Sequence, residues 1–324
     1  MNPRSGGARS VTTLRPIESR RETAIELARR AIRSRSPPTP EMDLFLSGIE
    51  RDVANGSASG VLRFEGEEAV GLALWDRSSP LGATVEVLFL VEGQQTPDAY
   101  RQFYAEVSGA AGPIAFTPGR LAGLTDLEEE DVMRALRFRR FSRTEMQYPP
   151  NLPSPEPAGT TPDPLRTTRA NDRPALARLY ERAYRDTFDR NLFLLDTDPK
   201  RDAEGQVGGV VDGRWGEFFP WASPVVDEGA ELVAATLVVG APYGALLAHV
   251  MVDPDRRRRG LGRAVVAAAI RSLRARQVPA IVLNVTNDNA PAVELYQRMG
   301  FVESVAPSHG WYSSVRVPTS PSSR

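Results

Sequence analysis

The stretch from Ala245 to Arg276 constrains this chain more than any other. An apolar run, Ala245–Val252, leads into Asp253-Pro254-Asp255-Arg256-Arg257-Arg258-Arg259-Gly260-Leu261-Gly262-Arg263, and a helical pattern runs from Arg263 to Arg276. The order is strand, glycine-rich turn, helix. Gly260 and Gly262 let the backbone turn tightly and approach a ligand with no Cβ in the way. At a helix start the N–H groups of residues 258–263 lack intrahelical partners. With the arginines they aim positive charge at one small volume, which suits an anion such as a pyrophosphate. The helix dipole contributes roughly 0.3–2 kcal/mol there, and each charge-assisted arginine bond about 1.5–3 kcal/mol. The turn is not a dinucleotide fingerprint, since it has no third glycine and no acid at the ribose distance. It is not a P-loop either, because the Lys-Ser/Thr pair is absent.

The elements around this turn recur. Strands Val61–Phe64, Ala69–Trp75 and Thr84–Val91, helix Pro97–Ala110, strand Pro113–Thr117, helix Glu128–Leu136 and strand Phe138–Met146 make up the first half. Strands Val225–Asp227, Leu232–Val239 and Ala245–Val252, helix Arg263–Arg276, strand Ile281–Val285, helix Pro291–Arg298 and a last strand after Gly300-Phe301 make up the second. Val70 to Phe138 and Val233 to Phe301 each span 68 positions (138 − 70 and 301 − 233). Helix patterns at Ser19–Ile32, Met42–Val53 and Pro174–Tyr184 lead into the two halves. The prediction is an α/β chain of two tandem domains, residues 10–148 and 165–317, each a splayed mixed sheet flanked by helices. Seven prolines between Pro149 and Pro164 mark residues 149–164 as a linker.

Composition bounds the function. With no cysteine, disulfides, thiolate metal sites and a cysteine nucleophile are excluded. The two histidines leave little room for a histidine-based metal site, so no metal is expected. A net charge of −1 gives no support to a nucleic-acid or membrane partner. No stretch reaches the length of a membrane span. The N-terminus is basic without an apolar signal core, and it reads as a disordered lead on a cytoplasmic protein.

The pattern Val252-x-Pro254-x-x-Arg257-x-x-Gly260-x-Gly262 resembles the acetyl-CoA-binding motif of the GNAT superfamily of N-acetyltransferases. Asn289-x-x-Ala292-x-x-Leu295-Tyr296-x-x-x-Gly300-Phe301 resembles that superfamily's second signature. The resemblance covers Leu165 to Val317, and the first half shares element order only. It implies acetyl-CoA as co-substrate, with its pyrophosphate on the N–H groups of Arg257, Arg258, Arg259, Gly260, Leu261, Gly262 and Arg263. It places the pantetheine arm along Val250, Met251 and Val252, with Asn289 nearby. A primary amine, on a small molecule or a peptide, attacks the thioester directly in a ternary complex, and Tyr296 protonates the departing thiolate. Each assignment has a plainer counterpart: the arginines as a solvated face, Tyr296 as a packed aromatic, Asn289 as a helix N-cap.

The base is less legible. Some members place a glutamate in the strand before the asparagine, where this chain has Asn284, which cannot act as a base. His249 is a candidate by type; strand alternation sets it on one face with Met251, opposite Val250 and Val252. Trp215, Glu217, Phe218 and Trp221 lie in the aromatic run before the hairpin, where they wall an acceptor pocket, pack the core or line the interface between the halves. In the first half Glu92-Gly93-Gln94-Gln95-Thr96-Pro97 replaces the arginine turn, and Arg137 stands where the repeat has Gly300, so this half is expected not to bind acetyl-CoA. The alternative function is a CoA-binding sensor or structural module without turnover, and either a monomer or a homodimer fits.

Overall fold

The computed structural model describes residues 12–34, 40–77, 81–118, 121–155, 165–305 and 307–313. The N-terminal lead, most of the Ser36–Pro40 break and most of the 149–164 linker lie outside the described residues. Among those described, the chain forms two units, residues 12–140 with 310–313 and residues 141–309.

The first unit takes β1 (Thr12–Pro16), α1 (Arg21–Arg33), α2 (Pro40–Asn55), β2 (Ser59–Glu65), β3 (Glu68–Asp76), β4 (Ala83–Leu90), α3 (Pro97–Ala111), β5 (Ile114–Pro118), α4 (Asp126–Ala135) and the start of β6 (Phe138–Gln147). Strands β1 to β4 pair antiparallel in sequence order, and β4 pairs β5 in parallel. The β2–β3 turn works because Gly66 has φ of 63°, a left-handed value that favours glycine. A capping box between Thr125 and Glu128 starts α4.

The second unit takes β7 (Leu165–Thr167), α5 (Arg173–Tyr184), α6 (Phe188–Phe193), α7 (Pro199–Val211), β8 (Pro224–Glu228), β9 (Glu231–Ala241), β10 (Gly244–Val252), α8 (Leu261–Ala275), β11 (Ile281–Thr286), α9 (Ala290–Arg298) and β12 (Val302–Glu303). Strands β7 to β10 are antiparallel, and β10 pairs β11 in parallel. Leu237, Val239 and Met251 pack under α5 and α7, while Val238, Leu247 and Leu283 pack against α8 and α9. Helices α6 and α7 carry no clear periodicity in the sequence. The N-cap of α7 is nonetheless legible, since Asp198 accepts the Arg201 N–H at 2.9 Å with Pro199 in the first turn.

The terminal strands divide differently from a cut at the linker. Phe141 onward belongs to the second unit, where β6 pairs antiparallel with β11 from Gln147↔Val282 to Arg143↔Thr286. The closing strand β13 (Ser308–Ser313) instead supplies Gly310–Tyr312 to β5 of the first unit. Trp311 is buried in that unit's core and donates from Nε1 to Glu129 at 2.8 Å. Each unit thus receives an antiparallel strand from the other half of the sequence. Alternation within a strand cannot reveal this, because it fixes faces and not neighbours.

Candidate active site

The turn after β10 is built from its own charges. Asp253 accepts the Asp255 N–H at 3.0 Å and Arg182 Nε at 2.7 Å, which starts a short 3-10 turn over Pro254–Arg256. Arg256 pairs with Glu228, and Arg257 Nη2 donates to the Ala183 carbonyl at 3.0 Å. Two of the four arginines are therefore tied to the scaffold. Arg258 and Arg259 are exposed, and the Arg263 Nε is buried without a hydrogen-bond partner. Arg258 has φ of 65° and Gly260 φ of 80°, so the backbone makes two left-handed steps into α8. The first helical bond runs from Ala264 N–H to Gly260 O at 3.0 Å. Among the described residues, the N–H groups of Arg258, Arg259, Gly260, Leu261, Gly262 and Arg263 have no backbone acceptor. A Cβ built on Gly260 would meet nothing within 4 Å, so the turn opens outward there. A Cβ on Gly262 would lie 3.3 Å from Leu295 Cδ2 and 3.5 Å from Val252 Cγ2. Gly262 therefore serves close packing of the helix start, whereas Gly260 serves the turn's conformation.

Beside this turn the sheet opens. Strands β10 and β11 pair only at Ala245↔Ile281 and Leu246↔Val282, although β10 continues to Val252 and β11 to Thr286. On its other edge β10 stays paired with β9 through Val252↔Ala234, with a register shift between Leu247 and His249. Among the described residues, the edge of Val250, Met251 and Val252 that faces the gap has no partner strand. Alternation holds as expected: Met251 packs with Tyr180 beneath α5, and Val250 and Val252 pack with Leu261 and Val265 of α8. Tyr296, on α9, is 7% exposed, and its ring meets Phe301 edge-on at 5.7 Å. Burial, with a smaller push from Asp189, holds its phenol protonated well above the usual range. Asn289 occupies the N-cap of α9 by backbone, with its carbonyl accepting from Ala292 and Val293, but its side chain makes no cap hydrogen bond. The expected capping role falls to the main chain, which leaves the amide side chain uncommitted.

The face of the gap toward α5 holds several polar groups. Tyr184 Oη and His249 Nδ1 are 3.4 Å apart, and His249 Nε2 is buried without a partner. Burial pushes the imidazole down to about 4. Trp215 stands edge-on to the same ring at 6.0 Å and covers Gly209 of α7, where a Cβ would meet it at 2.7 Å. The other members of the aromatic run go elsewhere. Phe218 packs into the core beneath α5 and α7, and Glu217 is exposed, with its carbonyl accepting from Gly240 N–H at 2.8 Å. Trp221 stacks on Phe219 at 5.1 Å and lies under Arg276, just past α8, at 3.9 Å. It does not join His249 and Trp215, because the run folds into a 3-10 turn at Pro220–Ala222 that carries Trp221 to the α8 side.

Sequence reasoning missed Asp189 and Arg143. Thr286 Oγ1 donates to Asp189 Oδ1, and Arg143 Nη2 donates to the Asn284 carbonyl at 3.4 Å with its guanidinium 4.7 Å over Phe193. Asp189 sits on the short helix α6, which has no periodic signal. Arg143 sits on β6, in the first half of the sequence.

The corresponding turn of the first unit is capped by its own side chains. Thr96 Oγ1 accepts the Ala99 N–H at 3.3 Å, Pro97 has no N–H, and Gln95 Nε2 donates to the Leu90 carbonyl at 2.8 Å.

Known proteins resemble this chain in sequence and in fold. The model of the Acetyltransferase (GNAT) family matches residues 174–301. A mycothiol acetyltransferase of Acidothermus cellulolyticus is 30% identical over 271 residues, 74% of this chain and 79% of that protein. One from Saccharomonospora viridis is 36% identical over 114 residues, which span 35% of this chain and only 31% of that protein. Among solved structures, a GCN5-related N-acetyltransferase from Sphaerobacter thermophilus superposes with a TM-score of 0.59 at 16% identity, covering 93% of this chain and 95% of that one. A tandem GNAT protein from the clavulanic acid biosynthesis pathway gives 0.51 at 17% identity, covering 93% and 98%. The chain belongs to the GNAT superfamily of acetyltransferases, in a tandem arrangement.

Proposed function

We propose that the chain transfers an acetyl group from acetyl-CoA to a primary amine, and that the second unit alone does so. The carrying observation is the row of backbone N–H groups from Arg258 to Arg263, unpartnered at the start of α8 and open above Gly260. A pyrophosphate there gains the helix-terminal N–H groups and the dipole together. Arg258 and Arg259 add charge at its rim. The pantetheine arm lies along the free edge of Val250–Val252 as an added strand. This brings the thioester into the gap between β10 and β11. The amine nitrogen attacks the carbonyl carbon, the C–S bond breaks, and the Tyr296 phenol protonates the sulfur. A phenol held protonated by burial suits an acid that must keep its proton until the thiolate forms. The side-chain cap at Thr96 and the missing N–H of Pro97 support the reading that the first unit does not bind acetyl-CoA. The relatives' name brings a mycothiol-related amine to this chain as the first acceptor class to test.

Calorimetric titration tests the cofactor half of this reading. Acetyl-CoA should bind at one site per chain, and acetyl-pantetheine, which lacks the pyrophosphate, about 100-fold more weakly, a difference of about 2.7 kcal/mol. Equal affinity for the two would remove the turn from the binding site.

A further inference from the structure

The acetyl-transfer reading leaves the acceptor's proton without a destination, since neither Asn284 nor any other side chain of β11 is a carboxylate. We propose that Asp189, held by Thr286 at the open end of β11, receives the acceptor ammonium and takes its proton; the inference rests on that reading.

Past Val282, β11 no longer pairs with β10, so its last residues flank the gap. Thr286 is the last of them and is 1% exposed. Its hydroxyl donates to Asp189 Oδ1, and its carbonyl accepts the Asn289 N–H at 2.9 Å, which opens the turn into α9. One corner of the fold thus orients both Asp189 and the helix that carries Tyr296.

The second observation is electrostatic. Several other buried or partly buried carboxylates of this unit are paired with arginines, Asp172 and Asp227 with Arg166, Asp253 with Arg182, and Asp202 with Arg190, while Glu145 accepts from Ser304 Oγ. Asp189 is partly buried and has no ion pair among the described residues. It accepts one hydroxyl hydrogen bond, which leaves its other oxygen free for an ammonium. The groups around it are Tyr180 and Tyr184 of α5, Arg190 of its own helix, Arg143 of β6 and Tyr296 of α9, with His249 of β10 behind Tyr184. The three phenols stay neutral under burial. The Arg143 guanidinium is the nearby cation without a carboxylate of its own, with its Nε buried and unpartnered. Its charge disfavours the ammonium form of a bound amine, which favours loss of a proton from the nitrogen.

The step balances. The ammonium gives one proton to the Asp189 carboxylate. The neutral nitrogen forms the C–N bond, the C–S bond breaks, sulfur takes the Tyr296 proton, and the second nitrogen proton returns to the tyrosinate. Asp189 then releases its proton to solvent.

The test compares wild type, Asp189→Asn and Thr286→Val with acetyl-CoA and an amine panel of glucosamine, tyramine, spermidine and an alanine-initiated peptide, with the product read by mass spectrometry. Asp189→Asn should lower kcat/KM about 100-fold or more at pH 7, with acetyl-CoA affinity unchanged. Its rate should climb as pH rises and supplies neutral amine from solution, whereas the wild-type rate levels off. Thr286→Val should give a smaller loss of the same kind. A variant that keeps the wild-type rate and pH profile, or that loses acetyl-CoA binding together with rate, overturns the role of Asp189 and leaves the transferase reading intact. Failure of wild type to acetylate any amine of the panel overturns the transferase reading, and this proposal with it.

Discussion

Ala264 donates its N–H to the carbonyl of Gly260 at 3.0 Å, and that bond is the first of helix α8. Among the described residues, the six before Ala264 have N–H groups without a backbone acceptor, as at any helix start, and Gly260 enters the helix at φ of 80°. The two glycines of this turn should therefore fail differently. Gly260→Val faces open space but an unfavourable backbone, and its side chain enters the phosphate volume. Acetyl-CoA affinity should fall at least tenfold, about 1.4 kcal/mol. Gly262→Val presses on Leu295 and Val252 and should lower the melting temperature, at a cost of about 1–3 kcal/mol. Thermal melts and calorimetry on both variants separate the two effects, and identical losses would contradict the division of roles.

Tyr296→Phe keeps the ring's contact with Phe301 and removes only the hydroxyl. Turnover should drop about 10–100-fold with acetyl-CoA affinity unchanged. An unaltered kcat would return Tyr296 to packing.

His249 gives the protein a calculable acid sensitivity. Its imidazole is held down at about 4 by burial, against about 6.5 in an unfolded chain. Its contribution is therefore fully present above the unfolded value. Between the two values the unfolded state takes up the proton and the folded state does not, so stability falls as pH falls, by up to about 1.4 kcal/mol per pH unit. His249→Gln removes this. Relative to its own stability at pH 7, the variant should lose about 2 kcal/mol less than wild type by pH 5, measured by urea unfolding. Parallel curves would mean that His249 is solvated.

Arg166 holds Asp172 at 2.7 Å and Asp227 at 2.7 Å, joining β7 and β8 to the start of α5. Arg166→Leu leaves both carboxylates partly buried and unpaired, and should cost about 3 kcal/mol. The loss should shrink on acidification, because the Arg166 hydrogen bond holds the Asp172 carboxyl below its usual range. A loss independent of pH would assign Arg166 to packing.

The legible parts of the molecule were those in which local chemistry fixes the outcome. Gly260 and the arginine run announced the turn, and alternation set His249 and Met251 on one face of β10. The hairpins at Gly66 and Gly229 followed from their left-handed glycines. What stayed hidden depended on partners distant in sequence. Nothing local to Arg143 says that β6 pairs with β11, and nothing local to Asp189 says that Thr286 will reach it. The arginines were ambiguous for the same reason. Arg257 met the Ala183 carbonyl and Arg256 met Glu228, and only the fold could assign those two to the scaffold. Trp215 and Trp221 look alike in sequence, yet a 3-10 turn sends them to opposite faces.

The most direct test of the account is mass spectrometry of the products after wild-type protein is incubated with acetyl-CoA and mycothiol-related and simple primary amines. The expected result is an N-acetylated amine and an equal amount of free CoA, both reduced together in Gly260→Val at acetyl-CoA concentrations below saturation. Acetyl-CoA recovered intact beside unmodified amines, from protein shown to bind it, would contradict the transferase reading and leave a CoA-binding module.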